Sequence, residues 1–372
     1  MRMSLALRER LYETLPKPAA RRAGDFRGGA EVRRVLVLSK PGNPTFSYYF
    51  EDRLADLPVP FTVRPLDESL AAVDPCGTFV ILCRYARPGQ LRWLYRHRHS
   101  LAGIGLFVDD DIASTVVSAD GPLDYRTYLL ATGVLPLVVL NRLMTHLWAS
   151  TETLAGTFRR DGLPVAVLPP RPRPEQYRPE AADLAENGPV RMVFHATGAH
   201  FSEHRFLIPV VAEALARHAH LSFEVIAEGA SARWWRALAV APQRLRIRPP
   251  LKWPDYLRQT ARQPADIALV PLLPGRTNDR RSDTKRIDIA RMRAAAIYSD
   301  CDIYRRCAVA GDVFAGNTPE AWQQEIGRLV TEPAYRQRAR KATMASMALM
   351  REAAPPGFPG LLTTHREASH GD

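Results

Sequence analysis

Lys285 and Asp288 have the residue types and the spacing that a site for a phosphorylated, hydroxyl-rich ligand requires. They lie three residues apart in RRSDTKRIDIARMRAAAIYSD, residues 280–300, after an apolar strand and a polar loop. The pattern predicts a helix that begins near Ser282 or Asp283, either of which can cap it, and that carries both side chains on one face. Free N–H groups at a helix N-terminus attract phosphate, a cation pairs with it, and a carboxylate binds hydroxyls.

Further candidate residues follow other predicted strands, where open α/β sheets bind their ligands. The loops there contain Gly42 in SKPGNPTFSYY, Asp109 and Asp110 in VDDD, and Gly198 and His200 in HATGAH. Glycine allows a backbone to approach a ligand closely, and an imidazole can donate to phosphate. An ordinary strand-to-helix turn explains the glycine equally well. For VDDD three interpretations stay open: a carboxylate-bound metal, a general base, or capping of the next helix.

These loops need strands and helices to hold them, and the alternation along the chain predicts a parallel α/β architecture. A chain of 372 residues is longer than one core usually supports, which favours two domains. In the first half, strands are predicted at 32–39, 61–65, 78–84, 104–109, 146–150 and 165–168, and helices at 5–14, 46–57, 68–73, 89–101 and 151–160.

The predicted boundaries divide the chain into five parts. They are a basic extension at 1–31, a Rossmann-like domain at 32–168, a proline-rich linker at 169–189, a second Rossmann-like domain at 190–330, and C-terminal helices with a tail at 331–372. The linker prediction depends on PPRPRPEQYRPE, residues 169–180, whose proline density predicts an extended chain without regular structure.

Four segments of the second half resemble, in order, the C-terminal half of GT-B glycosyltransferases. They are VFHATGAHFSEHRFLIPVV (193–211), LSFEVIAEG (221–229), LKWPDYLRQT (251–260) and DIALVPLLPGRTNDRRSDTKRIDIARMRAAAIYSD (266–300). The resemblance is specific over 190–340 and weaker over 33–168. It is closest to bacterial enzymes that build surface polysaccharides, which have a glycosyltransferase family 4-like C-terminal domain.

This resemblance implies two doubly wound α/β domains that face a central cleft, with the final helix crossing back onto the first domain. It implies a glycosyltransferase that moves a sugar from a nucleotide-activated donor to a growing or lipid-linked glycan, with no cofactor and no bound metal. The donor-binding residues would be Gly198, His200, Ser282, Thr284, Lys285 and Asp288. Lys285, assisted by His200, would stabilise the leaving diphosphate, and Asp288 would bind donor hydroxyls. Gly42 and Asp109 would lie on the acceptor side, where Asp110 is the acidic catalytic candidate.

The chain departs from this family at two places. The common retaining pattern has two glutamates eight residues apart, whereas Arg280 and Asp288 occupy those positions here. The usual Arg/Lys pair after the first loop is replaced by His200, His204 and Arg205. Two alternatives therefore stay open: a catalytically silent GT-B subunit that scaffolds a glycan complex, and a nucleotide-sugar epimerase of the same fold.

The net charge of +12 requires an explanation. Nucleic-acid binding is disfavoured, because no motif for it is present and the arginines are scattered. Solvated surface arginines are the first interpretation and contact with an anionic inner membrane the second. No run of eighteen apolar residues is present, so no membrane span is expected, and residues 128–140 are predicted to be a buried element. Without a signal peptide in 1–29, the expected location is the cytoplasm, at or near the inner membrane face.

Overall fold

The computed structural model describes residues 4–20, 31–159, 165–178, 188–196 and 200–362, and it contains two six-stranded sheets whose strands are all parallel. Separate apolar clusters cover the two faces of each sheet. Strands in the middle of such a sheet are buried on both sides, and every residue of Thr78–Cys83 and Gly103–Val108 is buried. The predicted α/β class with two Rossmann-like domains is confirmed.

In the first sheet, successive strands are added first on one side of the first strand and then on its other side. Its strands are β1 Arg34–Ser39, β2 Phe61–Pro65, β3 Thr78–Cys83, β4 Gly103–Val108, β5 His146–Ala149 and β6 Ala166–Val167. Their spatial order is β2-β1-β3-β4-β5-β6. The loops after β1 and β3 consequently diverge and leave a crevice at the carboxyl edge, which is where open sheets bind ligands.

The second sheet has the strand order of dinucleotide-binding folds. Its strands are β7 Val190–His195, β8 Leu221–Ile226, β9 Leu245–Arg248, β10 Ile267–Val270, β11 Ala295–Ser299 and β12 Val313–Ala315. The order β9-β8-β7-β10-β11-β12 corresponds to 3-2-1-4-5-6, so the reversal lies between β7 and β10.

Sixteen α-helices occur in the described parts of the chain. In the first half they are α1 Leu5–Thr14, α2 Pro44–Tyr49, α3 Glu51–Ala55, α4 Pro88–His97, α5 Ile112–Val117, α6 Leu123–Leu129, α7 Leu137–Leu140, α8 Glu152–Phe158 and α9 Pro174–Tyr177. In the second half they are α10 Phe201–Arg217, α11 Gly229–Arg236, α12 Trp253–Arg262, α13 Lys285–Arg291, α14 Asp302–Arg305, α15 Pro319–Thr331 and α16 Pro333–Glu352. A π-helical turn, Leu130–Val134, separates α6 from α7, and a 3₁₀ turn, Asn278–Arg280, precedes α13.

One apolar cluster joins the two domains. It contains Val37 of β1, Ile287 of α13 and Met350 of α16, all fully buried. The chain beyond α16 continues along the first domain, where Trp148 donates its indole N–H to the carbonyl of Pro359 at 3.0 Å. This is the crossing that the resemblance implied, and it holds one side of the two-domain assembly together.

Three predictions of local structure are wrong. Residues 68–73 form turns instead of a helix, and the helix predicted at 46–57 is split into α2 and α3. The proline-rich segment contains α9, which begins with Pro174 at a position where a helix needs no N–H. Gln176 of α9 donates to the carbonyl of Ser47 at 2.7 Å, so this segment packs on the first domain instead of hanging free. The predicted domain limits stay predictions.

The apolar stretch predicted to be a buried element is longer and more exposed than expected. Leu123–Leu140 is helical over 18 residues, has a mean hydropathy of 1.3, and is long and apolar enough to cross a membrane by these two criteria alone. Only 33 % of it is buried. Leu129, Val134 and Leu137 pack into the core of the first domain, whereas Leu135 faces outward.

Candidate functional site

A cleft of about 780 Å³ lies between the two domains. Its walls contain the ends of β1, β3 and β4 from the first sheet and of β7 and β10 from the second, so both crevices open into it. Eight of the nine predicted site residues line it: Gly42, Asp109, Asp110, His200, Ser282, Thr284, Lys285 and Asp288. The ninth, Gly198, lies outside the described residues. The structure thus brings the candidates together, while their roles stay predictions.

Lys285 is the first residue of α13 and is half-buried in the second-domain wall. Its Nζ donates to the main-chain carbonyl of His195, at the end of β7, at 2.7 Å. Burial lowers the pKa of Lys285 below its ordinary value of 10.5, and the Asp288 carboxylate opposes that shift. Among the described residues it forms no ion pair. The cleft therefore contains a partly desolvated ammonium group that the Asp288 carboxylate offsets from a distance without forming an ion pair.

Asp288, one turn further along α13, is held from both domains. Its Oδ1 accepts from Arg291 at 2.6 Å and from the Tyr48 hydroxyl, which reaches across from α2. Ser282 similarly shares a hydrogen bond with the Tyr49 hydroxyl. A carboxylate with these partners is fixed in orientation and keeps its second oxygen for another hydroxyl.

The predicted capping of α13 is wrong in its details. Thr284 occupies the N-cap position without a side-chain hydrogen bond. Ser282 instead contacts the first domain, and Asp283 pairs with Arg306 at 2.7 Å. The free N–H groups of this short helix are therefore not used by a side-chain cap.

His200 stands at the start of α10 beside two charged residues. The Arg281 guanidinium lies 3.0 Å from its Nε2 and 3.1 Å from its Nδ1, and the Glu203 carboxylate lies 3.6 Å from its Nδ1. Burial, together with Arg281, lowers the pKa of His200, so its imidazole is neutral at physiological pH. It can then assist an anion only as a neutral donor.

The carbonyl that orients Lys285 belongs to a residue that is itself tightly held. His195 places Nε2 3.3 Å from the Glu224 carboxylate and Nδ1 3.4 Å from the Tyr256 hydroxyl. Burial opposes ionisation of Glu224, but His195, Arg191 and further arginines lower the pKa of that carboxyl to about 2. This network fixes the end of β7.

In the first-domain wall, Asp109 and Asp110 both form ion pairs with Arg84. Arg84 places Nε 2.9 Å from Asp109 and an amino nitrogen 3.2 Å from Asp110. Burial raises the pKa of Asp109, while Arg84 opposes that shift. Arg84 has a backbone φ of 71°, a left-handed conformation that costs a non-glycine residue on the order of 1 kcal/mol. In this conformation the guanidinium lies against both carboxylates.

Gly42 lies in the same wall with a φ of 61°, a conformation that favours glycine. A Cβ there would lie 3.9 Å from Trp253 and Pro254 of the second domain. The loop after β1 therefore approaches the facing domain, and it also lines the cleft.

An aromatic surface completes the first-domain wall. Tyr85, Tyr125 and Tyr128 line the cleft, and the rings of Tyr85 and Tyr128 meet edge to face at 5.5 Å. Within the described residues their hydroxyls have no hydrogen-bond partner. Lys40 lies 5.2 Å above the Tyr128 ring. Aromatic faces with free hydroxyls suit a ring-shaped polar ligand.

The parts of the chain that the structure describes contain no group of three or more His, Cys, Asp or Glu residues placed to hold an ion. Asp109 and Asp110 face Arg84, whose cation occupies the position that a metal would take between them.

Solved structures resemble this chain although sequence comparison finds no relative. No protein-family model matches, and no curated protein matches in sequence. HepE of Anabaena, in a structure with UDP and glucose, gives a TM-score of 0.53 at 9 % identity, covering 86 % of this chain and 97 % of that chain. A glycosyltransferase from Rickettsia africae ESF-5 gives 0.53 at 10 %, covering 86 % and 96 %. An O-GlcNAc transferase from Thermobaculum terrenum gives 0.51 at 14 %, covering 94 % and 69 %.

The fold is GT-B. These neighbours cover 86–94 % of this chain, so the resemblance seen in the second half of the sequence is confirmed at the level of fold. Identities this low establish nothing finer than the fold, and the surface-polysaccharide type stays a prediction.

Several residues of the cleft escaped the sequence analysis. Arg84 directly follows β3 and Arg281 stands in the same run as Lys285, so the rule that ligands bind at strand ends could have found both. Nothing in the sequence indicates that Tyr48 crosses to Asp288, because that contact depends on how the domains face each other.

Proposed function

We propose that the protein is a glycosyltransferase that moves a sugar from a nucleoside-diphosphate donor to a growing or lipid-linked glycan of surface-polysaccharide biosynthesis. The observation that carries the proposal is the half-buried ammonium of Lys285 at the start of α13, in a GT-B cleft, which forms no ion pair with any described residue. Support for the donor class comes from the neighbour HepE, whose structures contain UDP with glucose and UDP-glucose.

The second-domain wall matches the charge of a diphosphate. Lys285 stabilises the negative charge that develops as the nucleoside diphosphate leaves, and a buried cation does so more strongly than one in water. Arg281 adds positive charge, although it lies 3.6 Å from Asp110 and is partly neutralised by it. Neutral His200 donates a hydrogen bond to the same group. The unengaged oxygen of Asp288 accepts a donor hydroxyl.

The first-domain wall suits the acceptor. Tyr85, Tyr125 and Tyr128 offer aromatic faces for the apolar side of a sugar ring and hydroxyls for its polar edge. Asp110 stays the candidate to accept the proton of the attacking hydroxyl. It does so only when the acceptor or the departing diphosphate draws Arg84 and Arg281 away from it, since both now lie against it.

Incubation of the full chain with labelled nucleotide sugars tests the proposal. A thermal-shift panel of nucleoside diphosphates first selects the base, because a ligand that binds only the folded state raises its melting temperature. The expected result is release of nucleoside diphosphate and transfer of label to membrane extracts that contain glycan acceptors. An isomerised nucleotide sugar without transfer would support the epimerase, and binding without any turnover would support the silent subunit.

A further inference from the structure

Two consecutive arginines of the second domain face two consecutive aspartates of the first domain. Arg281 places its Nε 3.6 Å from Asp110, and Arg280 forms an ion pair with Asp111. Arg281 and Asp110 both line the cleft. Arg280 and Asp111 are not among the described residues that line it. One ion pair therefore faces the space for a ligand, and the other lies outside that space.

A tyrosine of the N-terminal helix joins the ion pair outside the cleft. The Tyr12 hydroxyl, on α1, donates to Oδ2 of Asp111 at 2.9 Å and accepts from Arg280 at 2.9 Å. Tyr12 is only 4 % exposed and Asp111 only 1 %. A buried ion pair with further hydrogen bonds holds its groups in one geometry, and removal of one member leaves an uncompensated charge. We call Tyr12, Asp111 and Arg280 the interdomain triad.

The segment that contains Arg280 has further ties to the first domain and to α1. Thr151, just before α8, donates to the carbonyl of Arg280 at 3.1 Å. The Arg276 guanidinium lies 4.1 Å from the centroid of the Tyr12 ring and pairs with Glu9. The Glu9 side chain is 47 % exposed, so that pair adds little stability by itself. We therefore expect the buried triad to be the strongest of these ties.

We propose that the interdomain triad positions residues 280–285 for ligand binding. Arg281, Ser282 and Lys285 follow Arg280 closely along the chain and line the cleft. With Arg280 fixed outside the cleft, the residues after it enter the cleft wall in one orientation. The triad therefore acts on a ligand only through the residues that it positions. The identity of that ligand as a diphosphate rests on the proposed function, whereas the anchoring of the segment does not.

The triad gives the departure at Arg280 a structural role. This position is the first of the two that the common retaining pattern fills with glutamate, and here its side chain contacts Asp111 and Tyr12. Arg280 therefore anchors the segment and does not contact a donor in the cleft. A ligand phosphate can draw Arg281 away from Asp110 without loosening the segment, because the residue before Arg281 stays anchored.

Hydrogen–deuterium exchange of the full chain without any ligand tests the anchoring. Tyr12→Phe removes one hydroxyl, Arg280→Gln removes the cation, and Arg280→Lys keeps the cation. We expect amide exchange in residues 275–285 to become about fivefold faster in Tyr12→Phe and more than tenfold faster in Arg280→Gln, with Arg280→Lys in between. Tyr12→Phe and Arg280→Lys still decide the matter if Arg280→Gln does not fold.

The position of the faster exchange distinguishes anchoring from general stability. Tyr12 belongs to α1, so a loop of the other domain should loosen while the rest of the second domain exchanges as in the parent. Unchanged exchange in 275–285 in every triad variant would overturn the proposal. Equally faster exchange throughout the chain in Tyr12→Phe would overturn it as well.

Binding of a nucleoside diphosphate tests the consequence for the cleft. The probe is the nucleoside diphosphate that the thermal-shift panel selects. Arg280→Gln should weaken its binding at least fivefold, because the binding conformation becomes a smaller fraction of the folded protein, and Arg280→Lys should recover part of the affinity. Parent affinity in an Arg280→Gln variant whose segment exchanges faster would overturn the positioning role. A panel without any binder would instead contradict the proposed function, and the exchange result would still decide whether the triad anchors the segment.

Two controls separate the triad from the loss of an arginine in general. Arg276→Gln removes the same charge from the same loop. Arg328→Gln removes an arginine that pairs with Glu325 at 3.2 Å and lies 4.0 Å from the centroid of the Tyr335 ring, all within the C-terminal helices α15 and α16. Both controls should bind the nucleoside diphosphate within about twofold of the parent. A loss of affinity in Arg276→Gln equal to that in Arg280→Gln would assign the effect to net charge and would overturn the proposal.

Discussion

Lys285 illustrates how one residue acquires a role from its surroundings. Its position at the start of a helix was visible in the sequence, but its burial and its lack of an ion pair were not. Burying an ammonium group costs free energy unless an anion compensates for it. The phosphate of a nucleotide donor would supply that anion, which is why we propose that Lys285 contacts the diphosphate.

Substitutions of Lys285 should separate its charge from its shape. Lys285→Ala should reduce transfer at least a hundredfold, because loss of one preorganised donor to a developing charge has an effect of that order. It should raise the melting temperature or leave it unchanged, since a desolvated charge is removed. Lys285→Arg should retain part of the activity. Steady-state kinetics and thermal unfolding of the same samples check both expectations.

The alkaline pH profile adds a second signature of this residue. The free-enzyme pKa of Lys285 lies below its ordinary value because of burial, and only the protonated form attracts phosphate. Affinity for the nucleoside diphosphate should therefore fall as pH rises through that lowered pKa, earlier than an ordinary lysine allows. Lys285→Arg should abolish this alkaline limb. A profile identical in the parent and in Lys285→Arg would remove Lys285 from the diphosphate site.

The paired carboxylates lead to a prediction about metals. Arg84 already lies against Asp109 and Asp110, so a divalent ion would have to displace a guanidinium that forms an ion pair with each carboxylate. We expect incubation with EDTA to leave the transfer rate within about twofold of its starting value. Loss of transfer in EDTA that manganese restores would show that the aspartates hold a metal during turnover.

At the scale of elements, the corner after β3 positions the first-domain wall. Arg84 has a strained backbone, and the N–H of Ala86 donates to the carbonyl of Thr132 in the π-helical turn at 2.9 Å. A π-helical turn and a left-handed residue are both uncommon and often mark functional sites. Together they fix Tyr85 beside Tyr128 and point Arg84 at the two aspartates.

Arg84→Ala should therefore destabilise the first domain by about 3 kcal/mol, because it leaves a buried carboxylate without its cation. The control is Arg159→Ala, which removes an exposed partner of Glu152 and should cost less than about 1 kcal/mol. Urea denaturation measures both. The deficit of Arg84→Ala should shrink as pH falls through the raised pKa of Asp109, because protonation removes the uncompensated charge. A deficit that does not change with pH would contradict the role given to this pair.

Elements that depend on local pattern were predictable, and those that depend on packing were not. α1 matches its predicted limits, 5–14, and β2 matches 61–65, because polar caps and turn residues bound both segments. Residues 68–73 form turns that bury Leu70 in the core of the first domain, a contact that the local pattern does not reveal. The residues of the cleft were found through the strand-end rule, whereas Tyr48 and Arg84 act through partners distant in sequence.

At the scale of the whole molecule, hydrogen bonds close the cleft from two sides. On one side, α2 contacts the second domain through Tyr49 and Ser282, and Trp253 donates to the Ser47 hydroxyl at 3.0 Å. On the other side, Ser114 and Thr277 share a hydrogen bond of 2.8 Å. Each such bond has a net worth of only about 1 kcal/mol, and ion pairs of Arg280 with Asp111 and of Arg281 with Asp110 also join the two domains.

The domains should consequently open and close about the side that stays packed. The apolar cluster that contains Ile287 and Met350 joins the two domains, and we expect it to serve as the hinge. A donor that contacts both walls favours the closed form over an open one. Small-angle scattering should show a smaller radius of gyration when a nucleoside diphosphate saturates the protein.

Tyr49→Phe tests whether the cross-cleft bonds set this equilibrium. The substitution removes the bond to Ser282 but leaves the ring, which packs 4.7 Å from Phe107, in place. We expect the ligand-free radius of gyration to increase and nucleotide affinity to fall about fivefold, since about 1 kcal/mol of the closed form is lost. Leu349→Gln, an exposed change on α16 away from the cleft, is the control and should alter neither quantity. If neither ligand saturation of the parent nor the Tyr49→Phe substitution changes the scattering profile, the cleft is rigid. The hydrogen bonds across it would then not control an opening and closing equilibrium.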